Sequence, residues 1–204
     1  MSLKSHWEHI YQTKDTTQVS WYQEHSLKSL QLIVDTGIPK TGHIIDVGGG
    51  SSILVGDLLS EGYQHITVLD ISTVALEIAQ KRLGARAKDV TWLEADILQT
   101  SLPHHEFDLW HDRAVFHFLT DRDDRKRYVE AVKEAVKPGG HIIVATFASD
   151  GPERCSGLPV ARYEPESLHH EFGDAFALLY GANEAHQTPF GTQQKFIYCY
   201  CRKY

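Results

Sequence analysis

The sequence predicts an α/β fold in which five parallel strands are followed by an antiparallel pair at one edge of the sheet. From Thr41 onward, short β-rich runs alternate with helical patterns, which indicates βαβ units and a parallel sheet. The run "HIIVATF" (141–147) is β-branched and uninterrupted, as expected of a central strand that is buried on both faces. Near the end of the chain, two β-like stretches are joined by a connection too short for a crossover helix, so they must pair antiparallel or lie apart.

The five parallel strands are predicted from short β-rich runs. In chain order they are "HIIDV" (43–47), "HITVLD" (65–70), "DVTWLEAD" (89–96), "FDLWHD" (107–112) and "HIIVATF" (141–147).

Three helices are predicted from the segments between these strands. The first, "SILVGDLLSEG", ends at Gly62, and the second, "STVALEIAQKRLG", begins after the N-cap Ser72 and ends at Gly84. The third runs from about Asp121 to Lys137, where "PGG" ends it.

The remaining segments flank the five strands. Residues 1–40 are predicted to form an N-terminal helical cap, with Trp7, Trp21 and Tyr22 on two short helices, and residues 41–204 form the main domain. After the fifth strand come a Gly/Pro-containing loop, a short helix in "EPESLHHEFG", and the stretches "AFALLYGAN" (175–183) and "QQKFIYCYCR" (193–202).

The composition argues against several classes of function. The chain has 204 residues, of which 20 are basic and 27 acidic, with a formal net charge of −7 and a pI near 6.0. Holding nucleic acid mainly by its phosphate charge needs a clustered basic face, so no nucleic-acid partner is expected. The three cysteines lack the spacing of a disulfide framework or a metal site, and no apolar stretch reaches the ~18 residues of a membrane span. We therefore expect a cytoplasmic protein without a metal or a membrane, and a monomer or weak dimer.

Acidic residues end, or lie near the end of, each of the first four predicted strands. They are Asp46, Asp70, Asp96 and Asp112. In an open parallel sheet, functional residues collect outside the carboxyl ends of the strands. Four acids at that edge favour a ligand with hydroxyls, amines and positive charge over one rich in phosphates.

The turn after the first strand contains three consecutive glycines but does not complete a dinucleotide fingerprint. The pattern G-x-G-x-x-G that starts at Gly48 is met at Gly50 and fails at Ile53, and no Lys-Ser/Thr follows, which excludes a P-loop. One interpretation is a tight strand-to-helix turn without a ligand. The other is a cradle for S-adenosylmethionine, in which Gly48 and Gly50 let the backbone lie against the ligand.

The acids suit the chemical groups of S-adenosylmethionine, which carries an adenosine, a ribose diol, a sulfonium and an amino-acid end. Asp46 would balance positive charge near the turn, and Asp70 would take both ribose hydroxyls, a role that dinucleotide enzymes also assign to this position. Asp96 would accept the adenine amine, and Ile97 would cover the ring.

The order of motifs resembles that of class I S-adenosylmethionine-dependent methyltransferases. The matching segments, from about Ile44 to Phe147, are "DVGGGSS", "LDIS", "EADI", "FDLWHDRAVFHFL" and "KPGGHIIVATF". The resemblance implies S-adenosylmethionine as cofactor and a Rossmann-like, seven-stranded, mostly parallel sheet with an antiparallel C-terminal hairpin and helices on both faces. It also adds Ile71 and Gly49 to the predicted cofactor site, although the family usually has a variable residue where Gly49 stands.

The residues around the fourth strand argue against several methyl acceptors. Enzymes that methylate amide or exocyclic amine nitrogens in this family carry Asn/Asp-Pro-Pro-aromatic where this chain has "HDRAVF" (111–116). No Pro-Cys nucleophile of the cytosine-C5 enzymes occurs, and "TFASDGP" replaces the Asp-Asn pair of metal-dependent catechol-type enzymes.

The same region is similar to the thiopurine (thiol) methyltransferase branch and to small lysine methyltransferases. This similarity implies that Asp112 and Arg113 line the mouth of the site, while the plainer interpretation pairs Arg113 with Asp112 or a helix acid. His111 and His117 are possible bases, although a histidine near a strand end is more often structural. His117 is taken as the catalytic candidate, and His111 is assigned to the cofactor site. Trp21 and Tyr22 either cover the sulfonium by a cation–π contact or pack in the core.

The loop after the fifth strand is the place for a lid. Arg154 and Arg162 would either hold an anionic acceptor or lie solvated on a surface connector, and Cys155 would contact a soft acceptor. The leading prediction is methyl transfer to a small-molecule acceptor, namely a thiol, soft or amine nucleophile. The alternatives are a protein-lysine methyltransferase and a non-catalytic S-adenosylmethionine-binding module, and a dinucleotide oxidoreductase comes last.

Overall fold

The computed structural model describes residues 2–204, which form a seven-stranded sheet flanked by helices on both faces. From one edge to the other, its strands are Val90–Glu94 (β3), His65–Asp70 (β2), His43–Val47 (β1), Phe107–Arg113 (β4), Val136–Phe147 (β5), Gln193–Lys203 (β9) and Phe176–Gln187 (β8). Strands β1 to β5 are parallel, β9 is antiparallel to β5, and β8 is antiparallel to β9. The predicted fold class, including the antiparallel C-terminal hairpin, is confirmed.

The strands of this sheet lie close to the predicted runs. Between β5 and β8, two-residue strands Arg154–Cys155 (β6) and Leu158–Pro159 (β7) form a small separate hairpin.

Within residues 2–204, six α-helices accompany the strands. They are Leu3–Thr13 (α1), Leu27–Asp35 (α2), Leu54–Ser60 (α3), Thr73–Leu83 (α4), Arg122–Ala135 (α5) and Pro165–Phe172 (α6). The local signals work as expected: the Ser72 hydroxyl caps α4, the Asp121 carboxylate caps α5, and Gly84 ends α4 with φ +57°.

The two faces of the sheet carry separate hydrophobic cores. On one face, Tyr128 and Val132 of α5 and Phe172 of α6 pack around the buried Trp110. On the other face, the apolar sides of α2, α3 and α4 pack against the alternate residues of the strands, among them Ile44 of β1. Both faces are therefore covered, which explains why the parallel strands are apolar without a clear alternation.

Several placements differ from the sequence predictions. Helix α5 ends at Ala135 and β5 begins at Val136, so "PGG" lies inside a long irregular strand, next to a register shift in its pairing with β4. Strand β3 ends at Glu94, which leaves Asp96 in the following turn. Trp21 lies in the turn between α1 and α2, not on a helix.

The two helices within the predicted N-terminal cap pack differently. In α1 only Ile10 is buried, whereas α2 places Leu32 and Ile33 in the core beside the sheet. Helix α2 is thus a structural layer of the fold, and α1 is an added surface helix.

Within residues 2–204, no helix combines the length and the apolar character needed to cross a membrane. The same residues hold no group of three or more His, Cys, Asp or Glu side chains arranged to bind a metal ion.

Candidate functional site

Two adjoining cavities lie beside the carboxyl ends of the parallel strands, at the edge where the sequence places its acids. Asp70 and Asp96 line the larger cavity, and Asp46 lines the smaller one. The residues that line both are Trp21, Val47, Gly48 and Arg113. The cavities therefore form one elongated cleft with acids towards both ends and Arg113 in the middle.

Asp70, at the end of β2, is the best-anchored acid of the larger cavity. Its Oδ1 accepts a hydrogen bond from the Ser72 backbone N–H at 2.9 Å, and its Oδ2 accepts one from the Gly50 N–H at 3.0 Å. Burial raises the pKa of Asp70 to about 6, against the lowering effect of these two N–H donors. The carboxylate is held in place by these bonds, but burial makes its charged form unfavourable. Further hydrogen-bond donors from a ligand would therefore stabilise the charged form.

The turn after β3 contributes a second polar group and an apolar floor. The carboxylate of Asp96 accepts hydrogen bonds from the Leu98 N–H at 2.9 Å and from the Gln99 side chain at 2.7 Å. Ile97 is buried beside it, and Ile71 lines the same cavity from the end of β2. The structure thus brings all four predicted residues of the larger cavity, Asp70, Ile71, Asp96 and Ile97, together.

Aromatic side chains form one wall of the larger cavity. Trp7 lies 5.9 Å from Trp21 and 5.2 Å from Phe118 between ring centroids, and Tyr11 lies 6.3 Å from Trp21. Tyr11 was not predicted to belong to the site. A signal was present, because Trp7 and Tyr11 stand four residues apart, the spacing that places both on one side of a helix.

Glu8 attaches α1, the helix that carries Trp7 and Tyr11, to the start of α4. Its Oε1 accepts the Thr73 N–H at 2.8 Å and its Oε2 accepts the Val74 N–H at 3.3 Å. A carboxylate at a helix N-terminus also interacts favourably with the helix dipole. This contact holds the aromatic wall over the cleft.

In the smaller cavity, Asp46 of β1 is buried with one oxygen paired and one not. His111 Nδ1 lies 2.7 Å from Asp46 Oδ1, and His111 Nε2 lies 2.9 Å from the Ser29 hydroxyl. Among the residues described, Asp46 Oδ2 has no hydrogen-bond partner. Buried polar atoms in folded proteins are normally hydrogen-bonded, so this oxygen is a candidate acceptor for a ligand's N–H groups.

The three glycines are already required by contacts within the protein. A Cβ at Gly49 would stand 2.2 Å from Asp46 Oδ2, and one at Gly50 would stand 2.6 Å from Asp70 Oδ2. Gly48 has φ +71°, a conformation that other residues rarely adopt. Gly48 and Gly49 line the cleft, as predicted for residues that let the backbone approach a ligand. Gly50, for which the same role is predicted, lines neither cavity; its N–H donates to Asp70 and holds that carboxylate in place.

Arg113 lies at the junction of the two cavities, and its partner is not one of the acids considered from the sequence. Its Nη2 lies 3.2 Å from Oε2 of Glu184 on β8, and its Nε donates to the Tyr198 hydroxyl at 3.2 Å. Gln23 donates to the other oxygen of Glu184 at 3.0 Å. The side chains of Arg113 and Glu184 are 10% and 15% exposed, so the junction is recessed and its charges are balanced.

The structure corrects the expectation that Asp112 lines the mouth of the site. Its side chain is fully buried and lines neither cavity. It accepts hydrogen bonds from the Val115 N–H at 2.9 Å, the Phe116 N–H at 3.0 Å and the Tyr128 hydroxyl. Burial raises the pKa of Asp112 to about 6 despite these donors. Asp112 stabilises the turn after β4.

The structure also places His117 away from the cleft. The ring is fully buried against Phe118 and Phe147, at centroid distances of 4.5 and 4.8 Å, and neither ring nitrogen has a hydrogen-bond partner among the described residues. Burial, helped by the charge of Arg113, lowers the pKa of His117 to about 3. An enclosed histidine with this pKa is not placed to take a proton from an acceptor, which corrects its assignment as a base.

The loop after β5 is docked, and its arginines point to its own backbone. Arg154 donates to the Gly157 carbonyl and Arg162 to the Gly151 carbonyl, both on the surface and outside the cleft. Cys155 does line the larger cavity, and burial raises the pKa of its thiol to about 11. These arginines therefore belong to a surface connector.

The cleft fits the cofactor that the motif resemblance implies. S-adenosylmethionine presents hydroxyl and amine donors at its adenosine end and an ammonium at its other end. The cleft presents carboxylates towards both ends, an unpartnered buried oxygen on Asp46, and apolar and aromatic side chains between them.

The chain is similar in sequence to known methyltransferases. The family described as "Methyltransferase domain" matches residues 44–140. A Homo sapiens protein named EEF1A lysine methyltransferase 2 is 22% identical over 194 residues, which cover 88% of this chain and 76% of that protein. A ubiquinone/menaquinone biosynthesis C-methyltransferase from Ruegeria sp. (strain TM1040) is 30% identical over 136 residues, covering 62% of this chain and 52% of that protein.

A solved structure shares the fold over nearly the whole chain. It is the Burkholderia thailandensis 1,6-didemethyltoxoflavin-N1-methyltransferase with bound 1,6-didemethyltoxoflavin and S-adenosylhomocysteine. The TM-score is 0.72 at 18% identity, over 98% of this chain and 87% of that one.

Proposed function

Since the chain belongs to the class I S-adenosylmethionine-dependent methyltransferase superfamily, we propose that it methylates an amine nitrogen, with a lysine side chain of a protein as the first candidate. It is an enzyme that uses S-adenosylmethionine as its cofactor. The observation that carries the amine proposal is that, among the described residues, no histidine lining the cleft is free to act as a base.

In this proposal the adenosine end of the cofactor lies in the larger cavity and its amino-acid end lies in the smaller one. Asp70 accepts the ribose hydroxyls and Asp96 the adenine amine, while Ile71 and Ile97 enclose the adenine ring. Asp46 accepts the ammonium through its unpartnered Oδ2.

The turn and the aromatic wall complete the proposed site. Gly48 and Gly49 supply backbone groups along the smaller cavity, and Trp21 covers the junction. Trp7 and Tyr11 on α1 exclude water from the larger cavity.

When bound, S-adenosylmethionine supplies an electrophilic methyl group on a sulfonium and leaves as a neutral thioether. The protein's own contribution is alignment and exclusion of water, which convert a bimolecular displacement into a reaction within one complex. The junction at Arg113 is the proposed place of the acceptor, because it lies between the two ends of the cleft.

No histidine that lines the cleft is free to act as a base. Among the described lining residues His111 is the one histidine, and both its nitrogens are engaged, by Asp46 and Ser29. Hydroxyl and carbon acceptors need help in losing a proton, whereas an amine in its neutral form does not. An apolar, aromatic surrounding lowers the pKa of an entering ammonium and favours that neutral form.

The lysine side chain is the first candidate because of the relatives. Besides the human protein, a Danio rerio protein named EEF1A lysine methyltransferase 2 is 24% identical over 160 residues, which cover 69% of its length. A long, thin side chain also suits a recessed junction, where Arg113 is 10% exposed.

A small-molecule acceptor is the second candidate. The same recess suits a compact amine or a thiol, and the 30% identical relative from Ruegeria is named for a small-molecule pathway.

Transfer of a labelled methyl group separates these candidates. The purified protein is incubated with methyl-labelled S-adenosylmethionine and either the protein fraction or the small-molecule fraction of a cell lysate. Label on lysine residues of a discrete protein, identified by mass spectrometry, is the expected result. Label confined to the small-molecule fraction would replace the first candidate by the second. The Asp46→Ala variant serves as the inactive control in both arms.

A further inference from the structure

A continuous series of polar side chains runs from the smaller cavity to the C-terminal hairpin. It begins at Asp46 on β1, passes through His111 on β4 and Ser29 on α2, and reaches Tyr198 on β9 and Glu184 on β8. No local pattern in the sequence reveals this series, because its members come from five different elements.

The direction of the first two hydrogen bonds follows from their chemistry. An ionised carboxylate only accepts, so the Nδ1 that lies 2.7 Å from Asp46 Oδ1 carries the hydrogen. In the neutral ring, Nε2 then accepts from the Ser29 hydroxyl at 2.9 Å. Ser29 and His111 are 1% and 2% exposed, so water does not replace these bonds.

We propose that Ser29 and His111 are positioning residues that hold Asp46 so that its Oδ2 faces the amino-acid end of S-adenosylmethionine. The inference rests on the proposed function, because it assigns the ammonium of the cofactor to Asp46. His111 fixes Oδ1, and the remaining oxygen is buried next to Gly49 without a protein partner, in a residue that lines the smaller cavity.

Of the two positioning residues, Ser29 is the one that sequence motifs do not reveal. It lies on α2, outside the segment 44–140 that matches the methyltransferase family. Its hydroxyl also lies 3.4 Å from the Tyr198 hydroxyl, which donates to Glu184. The orientation of Asp46 thus depends on a helix before the sheet and a hairpin after it.

The arrangement explains why one buried oxygen can be left unpaired in the free protein. An unpaired buried acceptor is unfavourable, and rotation of the carboxylate would relieve it only by breaking the bond to His111. Ser29 keeps the ring of His111 from turning, because a turned ring would leave Nε2 without its donor. The cofactor ammonium then meets a carboxylate whose orientation is already set before binding.

The test compares two ligands that differ in the amino-acid end. S-adenosylhomocysteine carries the ammonium, and 5′-methylthioadenosine has the same adenosine without it. In Ser29→Ala, calorimetry is expected to show about tenfold weaker binding of S-adenosylhomocysteine, as for a buried group that loses its partner. Binding of 5′-methylthioadenosine is expected to change less than about twofold, a difference that a general loss of structure would not produce.

Thr146→Val is the matched control. Thr146 is also buried, but its hydroxyl has no hydrogen-bond partner among the described residues and it lines neither cavity. Both ligands are expected to bind this variant as they bind the unaltered protein.

A second variant distinguishes positioning from direct contact. His111→Asn keeps an N–H donor close to Asp46 but cannot reach Ser29. In that background Ser29→Ala is expected to have no further effect, because the group on which Ser29 acts is gone. Should Ser29→Ala fail to fold, the comparison of the two ligands in His111→Asn carries the test, with the loss again expected for S-adenosylhomocysteine alone.

Three results would overturn the inference. Equal weakening of both ligands in Ser29→Ala would show a structural role, and unchanged binding of both would show none. Fully additive effects in the double variant would show independent roles. Failure of the unaltered protein to bind S-adenosylhomocysteine is a separate result, which would remove the proposed cofactor arrangement itself.

Discussion

Two opposing requirements act on the carboxylate of Asp70. Its burial disfavours the charged form and raises its pKa to about 6, whereas acceptance of ligand hydroxyls needs that charged form. In the proposed complex, the ribose would provide donors in addition to the N–H groups of Gly50 and Ser72. The cost of the buried charge is therefore offset only when the cofactor is present.

The affinity for S-adenosylhomocysteine is predicted to fall as the pH drops below about 6. Below this pKa the free protein holds a proton on Asp70 that must be lost before the ligand binds, so the affinity falls by up to about tenfold per pH unit. Calorimetry between pH 5 and pH 8 measures this. Asp70→Asn should bind weakly with no such pH dependence, and equal affinity of the unaltered protein at pH 7 and pH 5 would contradict the assignment.

His117 shows the opposite kind of perturbation. Its pKa in the folded protein is about 3, below the ordinary value of 6.5, because the ring is enclosed by aromatic side chains and has no hydrogen-bond partner. A group whose pKa is lowered by folding contributes stability above its unfolded pKa and loses it as the pH falls. For His117 this window runs from about pH 6.5 down to about pH 3.

His117→Phe is predicted to remove this acid sensitivity. Phenylalanine keeps an aromatic ring among Phe118 and Phe147 and has no buried nitrogens, so the variant should be at least as stable at pH 7. Between pH 6 and pH 4, the unaltered protein should lose up to about 1.4 kcal/mol per pH unit relative to the variant. Urea unfolding at several pH values measures the difference. Parallel stability curves would contradict the lowered pKa of His117. Loss of methyl transfer in the variant would restore a functional role for this residue.

At the scale of elements, the turn between β1 and α3 is shaped by the carboxylates beside it. Asp46 and Asp70 approach the backbone at Gly49 and Gly50 so closely that no side chain fits there. Gly49, in the middle of the turn, departs from the usual motif. In this protein the position requires glycine because the carboxylate of Asp46 lies against it.

Gly49→Ala is predicted to displace Asp46. The added Cβ would lie 2.2 Å from Oδ2 and 2.6 Å from Cγ, so the carboxylate must move away from its place beside His111. We expect a loss of about 1–3 kcal/mol in the free energy of unfolding and at least about tenfold weaker binding of S-adenosylhomocysteine.

Gly56→Ala is the control for this substitution. Gly56 lies within α3, and the nearest side-chain atom to an added Cβ, on Leu83, is 3.6 Å away. This variant should gain about 0.5–1 kcal/mol of stability and bind the ligand normally. Normal ligand binding by Gly49→Ala as well would show that the position of Asp46 does not matter.

At the scale of the whole molecule, the segment before the sheet serves two purposes. Helix α1 buries little and is held by Glu8 at the start of α4, while Trp7 and Tyr11 face the cleft. Helix α2 buries Leu32 and Ile33 in the core. Helix α1 therefore lines the cleft, whereas α2 belongs to the hydrophobic core.

Two truncations are predicted to separate these purposes. Removal of residues 1–14 should leave a protein that unfolds cooperatively but binds S-adenosylhomocysteine at least about tenfold more weakly, because the aromatic wall is lost. Removal of residues 1–36 should abolish cooperative unfolding, since it uncovers one face of the sheet. Circular dichroism and calorimetry follow both properties. Cooperative unfolding of the shorter chain would show that α2 is dispensable.

Local patterns in the sequence determined the sheet and one edge of the site. β-Rich runs, caps such as Ser72 and the stop at Gly84 depend on neighbours in the chain, so they define the elements directly. Parallel strands bring their carboxyl ends to the same edge of a sheet, so strand order along the chain is enough to place Asp46 and Asp70 at the edge that holds the cleft.

Only the tertiary structure decided which of these side chains face the cleft and what they touch. Arg113 meets Glu184, 71 residues away, and His111 meets Ser29, 82 residues away, because packing of α2 and of the C-terminal hairpin brings them together. Asp112 ends inside the protein although it lies next to Arg113, since successive residues of a strand point to opposite faces of the sheet. Side-chain partners between distant elements depend on how those elements pack, and no pattern along the chain encodes that packing locally.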